Sequence, residues 1–213
     1  EAYSRAINDS DTGIMSRNLL NARVVLGTLW SLGDLQSRVL DFAGGYGVLV
    51  RLLRDYGVDA LWADRYCSNL LASGFEFDGG PVGLVTAFEA FEHFVDPGQE
   101  LSRMLDIGSS VLLSTELLGE PAPALADWWY YGTEHGQHIG FFRVKTLRSL
   151  AARHGKRLLT DGRTYHLITG RPIDEKKWRI AIRLNRLIPL LVRGKIESRT
   201  WIDHAHMAAR GQR

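Results

Sequence analysis

The 213-residue chain is predicted to be an α/β protein with a single doubly wound sheet, mostly parallel. Three observations carry this prediction. Over residues 39–56 an apolar stretch leads into a glycine-rich turn and then into a helical pattern. Strand and helix patterns then alternate as far as about residue 154. Finally, two short apolar runs joined at Asp161-Gly162 predict an antiparallel hairpin at the end of the sheet.

The elements follow in order along the chain. Residues 1–34 are predicted to be an N-terminal helical segment. The prediction is clearest over residues 17–32, where leucines and valines recur at helical spacing. Strands are predicted at residues 38–42, 59–63, 83–88, 110–115, 156–160 and 164–169, with a weak strand near 75–77. Helices are predicted at residues 47–56, 67–72, 97–105 and 143–154.

The glycine-rich turn is the most informative stretch. Residues 39–47 read Val-Leu-Asp-Phe-Ala-Gly-Gly-Tyr-Gly, so an acid, Asp41, precedes the small residues Ala43, Gly44, Gly45 and Gly47. Small residues let the backbone approach a ligand closely, and the following helix N-terminus offers free N–H groups to an anion. The turn therefore predicts a nucleotide-like cofactor.

A dinucleotide is the weaker choice of cofactor. Its fingerprint, G-x-G-x-x-G/A, needs a third small residue for close packing of helix and strand. Val50 occupies that position in one register and Val48 in the other. An NAD-dependent oxidoreductase therefore stays only as an alternative, beside a non-catalytic nucleotide-binding protein of the same fold.

Asp41, Ala43, Gly45 and Gly47 resemble motif I of the class I S-adenosylmethionine-dependent methyltransferases, with Ala43 in place of the first glycine. The resemblance continues through residues 59–64, 84–97 and 134–147, and it covers roughly residues 38 to 170. It implies a Rossmann-like fold, S-adenosylmethionine as cofactor, and transfer of a methyl group to oxygen or carbon of a small molecule. A sugar, a glycan or a secondary metabolite is the implied acceptor.

The resemblance also implies roles for individual residues. The turn from Asp41 to Gly47 holds the methionine end and ribose of the cofactor, and Asp64 accepts hydrogen bonds from the ribose hydroxyls. Phe88 and Glu89 border the cofactor. The N-terminal segment is expected either to cover the cofactor as a lid, with Tyr3 and Arg17 reaching it, or to be an ordinary packing helix. The cofactor-binding set is thus Arg17, Asp41, Ala43, Gly44, Gly45, Gly47, Asp64, Phe88 and Glu89.

The acceptor side is predicted in the long connection of residues 116–140. A loop of this length at the carboxyl edge of a parallel sheet is usually functional. It contains four adjacent aromatic residues, Trp128, Trp129, Tyr130 and Tyr131. We interpret them as a wall of the substrate pocket or, alternatively, as a plug of the hydrophobic core. His135 is assigned to the substrate site together with them. His138 or His93 is the expected base, because histidine titrates near neutral pH. His135 and His138 could instead chelate a metal, but neither an HExxH nor a CxxC motif supports this, and no metal is assigned.

Composition excludes several classes. The single cysteine, Cys67, excludes an internal disulfide and a multi-thiolate metal site. No apolar run approaches the roughly 20 residues of a membrane span, and a cytoplasmic protein is expected.

Charge is uneven along the chain. Residues 171–213 carry a net charge of +7, whereas the first 170 residues carry −5. The chain is accordingly divided into a helical lid segment at 1–36, a cofactor-binding domain at 37–170 and a basic tail at 171–213. A tail helix over 174–192 is expected to dock on protein rather than on an anionic membrane surface. No nucleic-acid partner is expected, and the oligomeric state is left open.

Overall fold

The computed structural model describes residues 12–133 and 138–210. A six-stranded sheet lies at the centre, in the order β2-β1-β3-β4-β6-β5. The first four strands are parallel, and β6 runs antiparallel to both β4 and β5, as predicted. The strands are β1 (Val39–Asp41), β2 (Ala60–Trp62), β3 (Leu84–Ala87), β4 (Ser110–Ser114), β5 (Arg157–Thr160) and β6 (Tyr165–Thr169).

Helices cover both faces of the sheet, which confirms the doubly wound α/β class. Side chains alternate along β1, so Val39 faces one layer and Leu40 the other. The first layer is built from α1, α2, α5 and α6, and the second mainly from α3 and α4. The helices are α1 (Ile14–Leu32), α2 (Val48–Asp55), α3 (Pro97–Ile107), α4 (Val144–Arg153), α5 (Glu175–Arg183), α6 (Ile188–Val192) and α7 (Thr200–Arg210), with 3-10 turns at Phe91–His93, Trp129–Tyr131 and Asn185–Leu187.

Helix α1 is part of the core. Val24, Val25, Leu26 and Leu29 have no exposed surface, and the helix packs against α2 and α5. The described part of the N-terminal segment is therefore a packing helix. A lid role stays a prediction, and Tyr3 lies outside the described residues.

The helix predicted at residues 67–72 is wrong. Asp64 accepts hydrogen bonds from the backbone N–H groups of Tyr66 and Cys67, and Asn69 accepts one from Ala72. These side-chain bonds replace the helical ones, so the segment follows a series of bends. The weak strand near 75–77 is reduced to one parallel bridge between Trp62 and Glu76.

The tail helix predicted over 174–192, with a kink or an end at Pro189 near residue 188, is interrupted earlier than expected, because α5 ends at Arg183 and α6 begins at Ile188. Pro189 lies at the start of α6; it has no N–H to donate, and its ring excludes a continuous helix through the preceding turn. The Trp178 indole N–H of α5 donates to Thr28 Oγ1 of α1 at 3.0 Å. The tail thus docks on its own domain. None of the helices within residues 12–133 and 138–210 combines the length and apolar character needed to cross a membrane.

Candidate cofactor and acceptor site

The glycine turn lies at the carboxyl end of β1, and neighbouring atoms leave no space for side chains at Gly44 and Gly47. A Cβ on Gly44 would lie 2.5 Å from Trp62 Cδ1, and one on Gly47 would lie 2.9 Å from the Cβ of Ala72. Gly45 and Gly47 also have φ values of 52° and 86°, which favour glycine. Ala43 is not among the described residues with positive φ, so its Cβ adds no backbone strain to the motif.

Asp41 ends β1 as a buried acid, with its side chain accepting a hydrogen bond from Thr86 Oγ1 at 2.8 Å. The pKa of this carboxyl is raised to about 7, mainly by burial and to a smaller extent by the charge of Asp64, while the Thr86 hydrogen bond lowers it in part. An acid of this kind is stabilised in its charged form by a nearby cation. Its position therefore suits a positively charged ligand in the turn.

Asp64 fastens the turn to the segment after β2. One carboxylate oxygen accepts from Gly45 N at 2.9 Å, and the other accepts from the N–H groups of Tyr66 and Cys67 at 2.7 and 2.8 Å. An ionised carboxylate offers about four acceptor positions, so about one is left for a ligand hydroxyl. The two bonds to ribose predicted from the sequence are thus reduced to about one, and the supporting role of Asp64 has no signal in the sequence.

Phe88 and Glu89 follow β3 at the same edge of the sheet. Glu89 has φ 50°, a conformation few non-glycine residues adopt, and it is held by two bonds with Ser114. Its N–H donates to Ser114 Oγ at 2.8 Å, and Ser114 Oγ donates to Glu89 Oε1 at 2.7 Å. Phe88 is buried and meets the ring of Tyr165 edge-on. Arg17 lies exposed in the first turn of α1, and its cofactor role stays a prediction.

A second group of side chains lies just beyond Glu89. Glu92 and His93 belong to the 3-10 turn after β3, and His138 approaches from the long loop. The rings of His93 and His138 meet edge-on, with centroids 4.9 Å apart. The backbone oxygen of Glu92 accepts from the N–H groups of residues 139–140 at 2.8 and 3.0 Å. This bonding keeps the loop against the turn.

The orientation of His138 is set by a backbone carbonyl. Its Nδ1 lies 2.6 Å from the oxygen of Tyr130. A carbonyl oxygen only accepts, so Nδ1 carries the proton and Nε2 keeps the lone pair in the neutral ring. The ring of Tyr130 contacts the same imidazole in a tilted arrangement, with centroids 4.6 Å apart.

Glu92 is a further functional candidate. It lies in the segment 84–97, but the sequence alone did not single it out as a site residue. Its side chain is fully buried, and neither carboxylate oxygen has a hydrogen-bond partner among the described residues. Burial, and then the charge of Glu89, raise its pKa to about 8, while the nearby hydroxyls of Tyr130 and Thr115 lower it in part. The sequence signal was its place in the pattern Glu-x-x-Glu-His, which belongs to the segment 84–97 that carries part of the family resemblance.

The adjacent aromatic residues serve different purposes. Tyr130 is buried and its hydroxyl lies 3.1 Å from Thr115 Oγ1, so this residue is a core plug. Trp129 is 77% exposed. Trp128 and Tyr131 are partly buried and pack edge to face, with centroids 4.9 Å apart. The predicted pocket wall is therefore confined to the exposed and partly buried members, and His135 lies outside the described residues.

These features define a doubly wound α/β protein with a cofactor site at the carboxyl edge of its parallel strands, the usual ligand position in such folds. Residues 16–160 match a family described as "Methyltransferase domain". The chain belongs to this S-adenosylmethionine-dependent methyltransferase family. The cofactor is accordingly S-adenosylmethionine. The glycine turn lets the backbone approach such a ligand closely, and the buried Asp41 suits its positive charge. The NAD-dependent alternative is set aside.

Solved structures agree on the fold. TnmH aligns with a TM-score of 0.55 at 16% identity, over 76% of this chain and 57% of TnmH. CalO1, a methyltransferase in calicheamicin biosynthesis solved with S-adenosylhomocysteine bound, aligns at 0.50 and 15% identity, over 75% and 54%. The Burkholderia thailandensis 1,6-didemethyltoxoflavin N1-methyltransferase aligns at 0.55 and 17% identity, over 77% and 82%.

Identities this low show the fold alone. The chain spans little more than half the length of TnmH and CalO1. No curated protein matches it in sequence.

Proposed function

We propose that the protein transfers the methyl group of S-adenosylmethionine to an oxygen or carbon atom of a small molecule. One observation carries the proposal: the crowded turn from Asp41 to Gly47, which ends in a helix N-terminus and includes a buried acid that a cation would ionise. Family membership supports it. The sulfonium and ammonium groups of the methyl donor supply positive charge of the kind that Asp41 requires.

We assign the cofactor contacts by that geometry. The turn takes the methionine end and ribose, Asp64 uses its remaining acceptor position for a ribose hydroxyl, and Phe88 and Glu89 border the cofactor. Methyl transfer is a displacement at an activated carbon, so positioning two reactants provides much of the catalysis, about 7–11 kcal/mol in favourable cases.

We also propose that the acceptor binds beside Trp128, Trp129 and Tyr131, because their exposed and partly buried aromatic surface suits a planar or sugar-like molecule. CalO1 acts in the biosynthesis of a natural product, and the Burkholderia enzyme was solved with 1,6-didemethyltoxoflavin. These neighbours support a secondary metabolite as acceptor, with a sugar or a lipid-linked glycan as the other candidates.

Calorimetric titration of the purified chain with S-adenosylmethionine, and separately with NAD, tests the proposal. Binding of the methyl donor alone, followed by formation of S-adenosylhomocysteine with a panel of small-molecule acceptors, is the expected result. Binding without product from any acceptor class would favour the non-catalytic alternative. The absence of methyl-donor binding would overturn the proposal.

For an acceptor hydroxyl we propose that His138 or His93 takes up the proton. The contact between His138 Nδ1 and the Tyr130 oxygen supports this role, because it fixes the ring and the tautomer in which the basic nitrogen is Nε2. Changing the base to alanine is expected to lower the rate of methyl transfer about 10²–10⁴-fold. The measurement compares His93→Ala and His138→Ala with the matched control His154→Ala, whose histidine lies at the end of α4. Activity within a few-fold of wild type in both variants would refute the base assignment.

A further inference from the structure

The buried carboxylate of Glu92 needs a counter-charge. An ionised carboxylate with no partner in a protein interior costs several kcal/mol, so such groups are neutralised or paired. Both oxygens of Glu92 are without hydrogen-bond partners among the described residues, although the side chain is fully buried. Either a proton or a cation must therefore occupy this position.

The groups around Glu92 are those that bind transition metals. One donor atom each from Glu92, His93 and His138 lies within 4.8 Å of the other two. Two imidazoles and one carboxylate form the ligand set of many catalytic zinc sites and of non-haem iron sites. Magnesium and calcium prefer all-oxygen surroundings, so the donor set disfavours them.

The orientation of His138 also matches that of a metal ligand. Metal-binding histidines usually donate their second ring N–H to a carbonyl or carboxylate, which fixes the tautomer and the ring. Nδ1 of His138 donates in this way to the backbone oxygen of Tyr130. The two N–H bonds from residues 139–140 to the Glu92 carbonyl keep the loop that carries His138 beside the other two donors.

We propose that Glu92, His93 and His138 bind one divalent transition-metal cation of the zinc or iron(II) type. Three protein ligands leave at least one coordination position open. The use of that position rests on the proposed function: it would take the acceptor's oxygen next to the methyl donor.

A bound cation would change the roles of the two histidines. A ligated nitrogen cannot also take up a proton, so the cation replaces the histidine base. It lowers the pKa of a coordinated hydroxyl, whose proton passes to water. The oxygen then forms the bond to the methyl carbon, the bond from carbon to sulfur breaks, and its electron pair stays on sulfur to give neutral S-adenosylhomocysteine.

Metal binding is tested without the methyl donor. The tag-free protein, stripped with a chelator, is titrated with Co²⁺, whose visible absorption reports coordination, and then with Zn²⁺ in competition. We expect one equivalent of Co²⁺ to bind and Zn²⁺ to displace it, with Mg²⁺ giving no competition. Glu92→Gln keeps the shape of the side chain but removes its charge, and it is expected to weaken binding at least tenfold.

Further variants keep the outcome decisive. His138→Ala is expected to abolish the absorption bands, and the control His154→Ala to leave them unchanged. If the stripped protein takes up no Co²⁺, or if Glu92→Gln and His138→Ala bind it as well as wild type does, the proposal is overturned and Glu92 holds a proton instead. Because the readout is coordination alone, this result is independent of whether the protein transfers methyl groups.

Discussion

Asp64 supports the cofactor turn as well as facing the position predicted for the ribose. Its three bonds to backbone N–H groups join the glycine turn to the segment after β2. We therefore expect Asp64→Ala to weaken S-adenosylmethionine binding by about 1–3 kcal/mol, through a lost ligand bond and a looser turn.

Calorimetry with Asp106→Ala as the matched control checks this expectation, since Asp106 is an exposed acid on α3. Equal affinity in Asp64→Ala and wild type would remove Asp64 from the cofactor site.

Asp41 should make stability depend on pH. Its pKa is raised from 3.8 to about 7 in the folded state, so the folded protein holds the proton more tightly than the unfolded chain. This contribution is fully present below about pH 4 and is lost as the pH rises through 7. Asp41→Asn cannot ionise, and its amide oxygen can still accept from Thr86. The variant is expected to unfold with a free energy on the order of 4 kcal/mol above wild type at pH 8, and the difference is expected to shrink to less than about 2 kcal/mol at pH 5.

Denaturant unfolding of both proteins at the two pH values measures the difference. Parallel pH profiles would show that Asp41 does not titrate as its burial requires. The same substitution should lower the affinity for the cationic methyl donor, because it removes the negative charge of Asp41 at the start of the glycine turn.

Gly47 shows that the glycine turn requires both a left-handed backbone and close packing without a side chain. Gly47 and Gly79 both have φ 86°, but a Cβ on Gly47 would collide with Asn69 and Ala72, whereas one on Gly79 meets nothing within 4 Å. Gly79→Ala is expected to cost only the backbone strain of a left-handed alanine, about 1 kcal/mol. Gly47→Ala adds the collision and displaces the turn, so it should lose methyl-donor binding as well.

Thermal unfolding and calorimetry of the two variants separate strain from crowding. If Gly47→Ala binds the methyl donor as well as Gly79→Ala does, close packing of the turn is not needed for binding.

Elements were predictable where a repeating pattern determines them. The strands and α1 to α4 follow apolar periodicity, and they lie close to where that periodicity predicts them. The segment at 67–72 was not predictable, because Asp64 and Asn69 bond to nearby backbone in place of a helix. Helix α5 ends at Arg183, before the kink or end expected near residue 188 from Pro189, since the ring of a proline also affects the turn before it.

The site was predictable in part for a related reason. The turn and Asp64 lie next to strands, so their positions follow from the order of elements. The depth of Glu92 depends on contacts with residues 139–140, which are some 50 positions away along the chain and belong to no periodic element. No local pattern shows that a glutamate in a polar-looking turn is fully buried.

The tail contributes to the stability of the whole molecule through Asp203 on α7. Its two carboxylate oxygens accept from Arg54 at 2.7 and 2.8 Å, and one of them also accepts from Arg51 at 2.6 Å. The guanidinium of Arg54 lies 3.8 Å from the ring centroid of Phe75. Asp203→Asn removes the negative charge that Asp203 presents to the buried guanidinium of Arg54. The substitution is expected to destabilise the fold by about 3 kcal/mol.

Asp55→Asn is the matched control, because Asp55 pairs with the same Arg51 but is about half exposed. An exposed pair of this kind contributes about 0–1 kcal/mol. Denaturant midpoints of the two variants measure the contrast, and equal losses would mean that burial does not strengthen the Asp203 contacts.

The bond between Arg54 and Asp203 also determines the order in which the chain can complete its fold. The two residues are 149 positions apart, and Trp178 is 150 positions from its partner Thr28. Contacts between such distant positions form late, because the entropy of closing the intervening loop must be overcome first. During synthesis on the ribosome, α1 and α2 therefore emerge long before the segments that cover them. Until residue 203 has been made, a buried arginine and an apolar helix face are left without their final neighbours.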